Sequence, residues 1–251
     1  MKNLFTPIAI MALAVLGICT GAAEPEVTIH IVGDSTCANY SGTNSRRSGW
    51  GQVLNTFCKP EVKVNNQALS GYSSTSYINK KRWEKLIANV KPGDYVIIQF
   101  GHNDGKKGER FADVKTTYPA NYRKFITEVR AKQANPVIAT SISRCIYKNG
   151  KIAFSGLNRY RDAAIKVAKA ENVPVIDLKL ITENQFNAMG EEKSFPLFMG
   201  KIEVVKKVKG KAVKTTQIDR THLNKDGAMQ IAQWFVSDCK SQKLPIADCF
   251  K

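Results

Sequence analysis

Short apolar runs alternate along the chain with longer stretches in which apolar residues recur every three or four positions. Five of the runs are rich in β-branched residues and bounded by turn residues, which is typical of buried strands. These predicted strands are residues 27–32, 62–66, 95–100, 136–141 and 173–178. The stretches with helical spacing are residues 50–57, 78–88, 122–134, 157–170 and 226–239. Strands that alternate with helices predict an α/β fold with a parallel sheet covered on both faces.

One segment departs from this alternation. Between residues 198 and 216, Val and Ile alternate with Lys on both sides of Gly210, which is typical of an exposed hairpin. Six lysines lie between residues 201 and 214. The segment is open to two interpretations, a solvated surface ribbon or a basic flap that gathers an anionic chain beside a functional site.

The first 23 residues have a different pattern from the rest. Lys2 precedes an apolar run over residues 4–19, and small residues at 21–23 precede Glu24. This arrangement is typical of a cleaved secretory signal peptide, and the run is short for a membrane span. A retained anchor or a lipid on Cys19 are the other interpretations. We therefore expect residues 24–251 to form a single exported domain, periplasmic or extracellular, monomeric and without stable membrane association.

Charge and cysteines follow from that expected cleavage. Residues 24–251 carry 37 basic and 21 acidic residues, a net charge of +16. Such a surface is either simply solvated or attracts a polyanion, and export favours an acidic polysaccharide or a cell surface over nucleic acid. Five cysteines remain, and their spacing matches no zinc motif. Export permits disulfides, and the neighbouring Cys239 and Cys249 are the first candidate pair.

Four polar blocks mark the candidate chemistry. Three of them come directly after the first, second and third predicted strands, and the fourth lies near the C-terminus. Ligands gather at the carboxyl ends of parallel strands, so we expect these blocks to meet at one edge of the sheet. The four blocks are Gly33-Asp34-Ser35, Ser70-Gly71, Gly101-His102-Asn103-Asp104 and Asp219-Arg220-Thr221-His222.

Together the blocks resemble those of the SGNH, or GDSL-like, hydrolase superfamily, from residue 28 to about residue 240. Gly-Asp-Ser-Thr at 33–36, Gly-Trp-Gly at 49–51 and Asp-x-Thr-His at 219–222 look most like rhamnogalacturonan acetylesterases. The resemblance implies a three-layer α/β/α fold with a parallel, flavodoxin-like sheet of about five strands. It also implies removal of acetyl groups from an acidic polysaccharide or oligosaccharide, without a metal or other cofactor.

The residues themselves favour a serine esterase. A serine hydroxyl such as that of Ser35 needs a nearby base to become a nucleophile. Of the three histidines in residues 24–251, His30 lies within a predicted strand and His102 belongs to the third block, which leaves His222 as the base. Asp219, three residues earlier on the same predicted loop, can hold the imidazole and stabilise its protonated form.

The remaining block residues are assigned to charge stabilisation and support. The expected oxyanion donors are the backbone N–H groups of Ser35 and Gly71 and the side-chain amide of Asn103. For Arg46 and Arg47, surface solubility is the other interpretation. The expected supporting or substrate-contacting residues are Asp34, His102, Asp104, Arg46, Arg47 and Arg220.

Two other functions fit the same residues. A lysophospholipase or thioesterase would use the same triad and would need an apolar channel for its acyl chain. A non-catalytic polysaccharide-binding protein could be built on the same scaffold. An intact set of Ser35, Asn103, Asp219 and His222 argues against the binding protein, which has no use for it.

Overall fold

The computed structural model describes residues 26–208 and 211–251, so the expected signal segment 1–23 lies outside the described residues. The strands of this part are β1 (Thr28–Gly33), β2 (Lys63–Asn66), β3 (Tyr95–Gln99), β4 (Asn135–Ala139), β5 (Tyr147–Lys148), β6 (Lys151–Ile152), β7 (Val175–Ile176), β8 (Phe198–Val208) and β9 (Lys211–Leu223). Its α-helices are α1 (Trp50–Val53), α2 (Ser74–Asn79), α3 (Arg82–Ile87), α4 (Thr117–Ala131), α5 (Leu157–Ala170), α6 (Leu178–Ser194) and α7 (Lys225–Ser241).

The central sheet has five parallel strands in the order β2-β1-β3-β4-β7. The order reverses beside β1, as in the flavodoxin-like arrangement, and such a reversal opens a crevice at the carboxyl ends of the strands. The predicted α/β fold and its sheet of about five strands are therefore confirmed. Ser35 follows β1, and the Gly101–Asp104 block follows β3, so both lie at this crevice.

Helices cover both faces of the sheet. On one face, Ile29 and Ile31 of β1 belong to the same buried cluster as Trp50 of α1 and Phe235 of α7. On the other face, Val32 belongs to a cluster with Trp83 of α3 and Phe125 of α4. Since each fully buried side chain of this size contributes roughly 1.5–3 kcal/mol, the two clusters make the sheet a stable base for the loops at its edge.

Two helical regions differ from the sequence expectation. The predicted helix at 78–88 is divided into α2 and α3, because Lys81 between them adopts a left-handed conformation (φ 56°). Helix α6 was not anticipated. Its start shortens the predicted strand at 173–178 to β7, because the Asp177 side chain caps the helix by accepting the N–H of Leu180.

The described part of the Lys-rich segment pairs as two antiparallel strands, β8 and β9, as the alternating pattern indicates. Residues 209–210, with the predicted turn at Gly210, lie outside the described residues. Strand β9 continues further than expected, to Leu223, so Asp219 and His222 lie on a strand end rather than on a loop. The basic segment and the candidate acid–base pair therefore belong to the same pair of strands.

All five cysteines of the described residues are buried thiols, so the predicted Cys239–Cys249 disulfide is wrong. The C-terminal turn instead contacts the segment around Lys59, whose backbone N–H donates to the Cys249 carbonyl at 2.9 Å. Burial raises the pKa of the Cys58 and Cys249 thiols to about 11, which keeps them protonated and unreactive. Within the described ranges, no helix has the length and apolar character that crossing a membrane requires.

Candidate active site

The turn after β1 is held by hydrogen bonds on both sides of Ser35. The Asp34 carboxylate accepts the backbone N–H of Thr36 at 2.9 Å and its hydroxyl at 2.8 Å. The hydroxyl of Tyr40 donates to the Ser35 carbonyl at 3.0 Å. Asp34 thus has the loop-ordering contacts expected of it, and the backbone that carries the serine hydroxyl is fixed before any substrate arrives.

A buried chain of side chains ties this turn to the sheet. The indole N–H of Trp50 donates to Gln99 at 2.6 Å, and the Gln99 amide donates to the Thr36 hydroxyl at 2.7 Å. Gly49 lies so close to the turn that an added Cβ would be 2.3 Å from the Ala38 carbonyl oxygen. Trp50 is completely buried against Phe235, so it is a core residue and no sugar platform.

Ser35, His222 and Asp219 form a continuous line of hydrogen bonds. Ser35 Oγ lies 3.0 Å from His222 Nε2, and His222 Nδ1 lies 2.8 Å from Asp219 Oδ2. The other Asp219 oxygen accepts the backbone N–H groups of Thr221 and His222, both at 3.0 Å. With a neutral imidazole the serine donates to Nε2 and Nδ1–H donates to the carboxylate, which is the arrangement that activates a serine nucleophile.

An irregularity in the pairing of β8 and β9 makes this line possible. Regular strands point residues three apart to opposite faces. Between the pairs Phe198–Leu223 and Gly200–Asp219, however, β9 advances by four residues and β8 by only two. The extra residues bend β9 at this point, and the side chain of His222 comes to lie against that of Asp219.

Asp219 remains ionised in this setting. Burial alone would raise the pKa of this carboxyl, but the side-chain and backbone hydrogen bonds from His222 hold the pKa well below its usual range. Arg47 adds a further contact, with Nη2 at 3.3 Å from Asp219 Oδ2. One of the arginines expected to contact substrate therefore touches the candidate triad itself.

The expected oxyanion donors face the same cavity as Ser35. Gly71 has φ +83°, which favours glycine, although an added Cβ would meet open space. The Asn103 side-chain nitrogen donates to the Tyr72 carbonyl at 2.8 Å, which leaves its second N–H for a ligand. The ammonium of Lys106 donates to the Asn103 side-chain oxygen at 2.6 Å, so a cation supports the amide from behind.

Asp104 ties the third block to α2, and His102 is buried within the block. The Asp104 carboxylate accepts the backbone N–H of Ser74 at 2.8 Å and its hydroxyl at 2.6 Å, and burial raises the Asp104 pKa to about 7 against the effect of these bonds. His102 is 5% exposed, and neither ring nitrogen has a hydrogen-bond partner among the described residues. Burial lowers the pKa of His102 to about 4, so the ring is neutral at neutral pH.

The cavity above Ser35 has a volume of about 500 Å³ and a largely polar lining. Four cationic side chains line it: Arg47, Lys106, Arg144 and Arg220. Arg220 is also held from outside, by Glu191 at 2.6 Å and by the Cys145 carbonyl at 3.0 Å.

The cationic residues expected from the sequence and those that line the cavity are only partly the same. Arg46 is exposed and is not among the lining residues. Lys106 and Arg144 were not singled out from the sequence. The only signal for Lys106 was its position three residues after Asn103, and Arg144 had no such signal. No group of three or more His, Cys, Asp or Glu side chains suited to a metal ion occurs in the described part of the chain.

With this fold and geometry in place, comparison with known proteins identifies the class. The chain belongs to the GDSL-like lipase/acylhydrolase family, whose model matches residues 31–228.

Two relatives and one solved structure resemble this chain over most of its length. The chain is 31% identical over 225 residues to the probable rhamnogalacturonan acetylesterase YesY of Bacillus subtilis, covering 88% of this chain and 95% of that protein. It is 32% identical over 223 residues to the rhamnogalacturonan acetylesterase RhgT of the same organism, covering 88% and 93%. The crystal structure of the Bacillus subtilis YxiM protein superposes with a TM-score of 0.74 at 28% identity, covering 88% of this chain and 58% of that longer one. The protein is therefore an esterase of the GDSL-like family.

Proposed function

We propose that this esterase removes acetyl groups from the rhamnogalacturonan backbone of pectin, with Ser35 as its nucleophile. The observation that carries the proposal is the line of hydrogen bonds from Ser35 through His222 to Asp219, at the base of a cavity lined by cations. The names of the two Bacillus subtilis relatives, both rhamnogalacturonan acetylesterases by name, support this choice of substrate.

The reaction proceeds in two halves. Ser35 Oγ attacks the acetyl carbonyl carbon while His222 Nε2 takes the hydroxyl proton, and the resulting oxyanion is bound by the N–H groups of Ser35, Gly71 and Asn103. As the carbon–oxygen bond to the sugar breaks, His222 gives its proton to the leaving sugar oxygen. Water, deprotonated by the same imidazole, then attacks the acetyl-serine. His222 returns this proton to Ser35 Oγ as the bond to the acetyl carbon breaks, and acetate leaves. Asp219 stays ionised throughout and stabilises the imidazolium.

The lining of the cavity favours an acidic polysaccharide over a lipid. Several cations in a concave site raise the local concentration of an anionic chain and the rate at which that chain encounters the enzyme. Ile218 is the only aliphatic side chain among the described residues that line the cavity, and an acyl chain longer than acetyl would need more apolar surface than this. The lining of this cavity therefore favours acetyl over a long acyl chain.

The test is acetate release from native acetylated rhamnogalacturonan, with acetylated xylan as the comparison. We expect faster release from rhamnogalacturonan, and loss of both activities in Ser35→Ala. Ser41→Ala, at an exposed serine of the same loop, is the matched control and should retain activity. Faster release from xylan would overturn the substrate, and an active Ser35→Ala variant would overturn the nucleophile.

Labelling by a fluorophosphonate probe separates the esterase from a non-catalytic binding protein. A covalent adduct on Ser35 is expected, because the probe reacts with a serine that a neighbouring base activates. An unlabelled Ser35 in the folded protein would favour the binding protein.

We also propose that the chain is exported, on the basis of the pattern in residues 1–23. Expression of the full chain followed by cell fractionation and N-terminal sequencing tests this. A mature N-terminus near residue 24 in an exported fraction is expected, whereas an uncleaved cytoplasmic protein would contradict it.

A further inference from the structure

A second cavity of about 490 Å³ lies beside the one above Ser35. Three residues, His102, Lys106 and Arg144, line both cavities, so the two adjoin each other. The volume falls within the range of about 300–1,000 Å³ that is usual for small-molecule sites. A ligand whose acetyl group lies at Ser35 can therefore extend into this second space.

The walls of the second cavity combine apolar surface with unpaired cations. Phe111, which is 50% exposed, contributes apolar surface together with Val114 and Leu157. Arg144 and Arg159 form no ion pair with any residue in the described ranges, and the Nε atom of Arg144 has no hydrogen-bond partner there. Guanidinium groups left without partners in this way are suited to bind a carboxylate through two hydrogen bonds.

The acidic residue of the lining does not cancel these cations. Asp113 Oδ1 accepts the backbone N–H groups of Lys115 and Thr116 at 2.9 and 3.0 Å and the Thr116 hydroxyl at 3.0 Å. Its pKa lies below the ordinary value because of these hydrogen bonds, so it is a fixed anion of the loop. Lys106, Arg144 and Arg159 together leave the cavity with an excess of positive charge.

We propose that this second cavity binds a uronate carboxylate of the polysaccharide whose acetyl group lies at Ser35. The inference rests on the proposed function and adds a recognition site for one carboxylate of the chain. Arg144 and Arg159 bind the carboxylate, and the apolar face of the sugar ring packs on Phe111. A neutral polysaccharide offers no partner for the two guanidinium groups, so the subsite selects acidic chains.

Inhibition of aryl acetate hydrolysis measures this subsite directly. The probes are a deacetylated rhamnogalacturonan oligosaccharide and the same oligosaccharide with its carboxyl groups reduced to alcohols. The acidic oligosaccharide should inhibit the unsubstituted enzyme at a Ki about tenfold lower than the reduced one, because each charge-assisted hydrogen bond is stronger than a neutral one. Equal Ki values for the two probes would overturn the subsite.

Substitution then locates the effect. Arg159→Gln and Arg144→Gln should each remove most of the difference between the two Ki values, and Arg159→Lys should restore part of it. Arg82→Gln removes the same charge from an exposed position outside both cavities and should leave the difference intact. Arg159 is itself exposed, so its loss does not endanger folding. An equal effect of all three Gln variants would show general charge attraction and overturn the subsite.

Two further results separate this inference from the proposed function. Acetate release from rhamnogalacturonan, combined with equal Ki values for the two probes, overturns the subsite and leaves the proposed function standing. Absence of that release, with aryl octanoate hydrolysed faster than aryl acetate, overturns both and identifies the second cavity as an acyl pocket lined by Phe111 and Leu157.

Discussion

The two sides of the site are built differently. On the nucleophile side, the chain from Trp50 through Gln99 and Thr36 to Asp34 is buried and hydrogen-bonded at each step. On the open side, Arg144 and Arg159 have no ion-pair partner among the described residues. Buried polar groups that are satisfied hold one geometry, whereas cations without a partner are available for a ligand. One side thus sets the geometry of the reaction, and the other is suited to choose the substrate.

The largest expected effect on activity comes from a substitution in the nucleophile side of the site. Asp219→Asn should lower kcat for aryl acetate by about 10⁴-fold, since the amide can no longer hold His222 in the required tautomer. Kinetics of the purified variant measure this. Asp226→Asn, at an exposed position in the first turn of α7, is the matched control and should be unaffected. A loss of only a few-fold would exclude Asp219 from the triad.

Removal of the Asn103 amide comes next. Asn103→Ala should lower kcat by about 10²–10³-fold with little change in KM, because an oxyanion donor acts mainly in the transition state. Asn103→Asp keeps the shape but lacks the donor, so it should lose as much. If the Asp variant kept its activity, the amide would have no part in binding the oxyanion.

His102 lies between the two sides, and its lowered pKa should make the free energy of unfolding depend on pH. Its pKa is about 4 in the folded protein and about 6.5 when unfolded, so the unfolded state takes up the proton first as the pH falls. Between pH 7.5 and 5.0 this lowers the free energy of unfolding by about 2 kcal/mol.

Urea unfolding at the two pH values checks this expectation. His102→Gln should lose about 2 kcal/mol less stability than the unsubstituted protein on the same change of pH. Parallel losses in the two proteins would mean that the imidazole titrates normally.

The smallest effect concerns Lys106, which links the two sides. Lys106→Met should lower kcat by roughly tenfold, because the ammonium no longer orients the Asn103 amide. Lys106→Arg should restore part of the rate, and Lys107→Met removes the same charge from the exposed neighbouring residue without that contact. Equal losses in Lys106→Met and Lys107→Met would point to overall charge as the cause.

Short-range patterns were sufficient for much of this fold. Runs of β-branched residues predicted all five strands of the sheet, and the predicted helix at 157–170 has the same bounds as α5. Patterns failed where one local interaction decides the outcome. The left-handed backbone at Lys81 divides a predicted helix, and the Asp177 cap starts α6 where a strand was expected to continue.

The sequence by itself determined the parallel sheet, the polar residues Ser35 and Asn103 that follow its strands, and the pair Asp219 and His222 near the C-terminus. Hydrophobic periodicity and short motifs contain this information, because both act over a few neighbouring residues. Only the tertiary structure decided that Arg47 touches Asp219, across 172 positions of sequence. It also decided that Arg144 and Arg159 line one cavity and that Cys239 and Cys249 stay unpaired. Such contacts depend on how distant segments pack, and no local pattern records that packing.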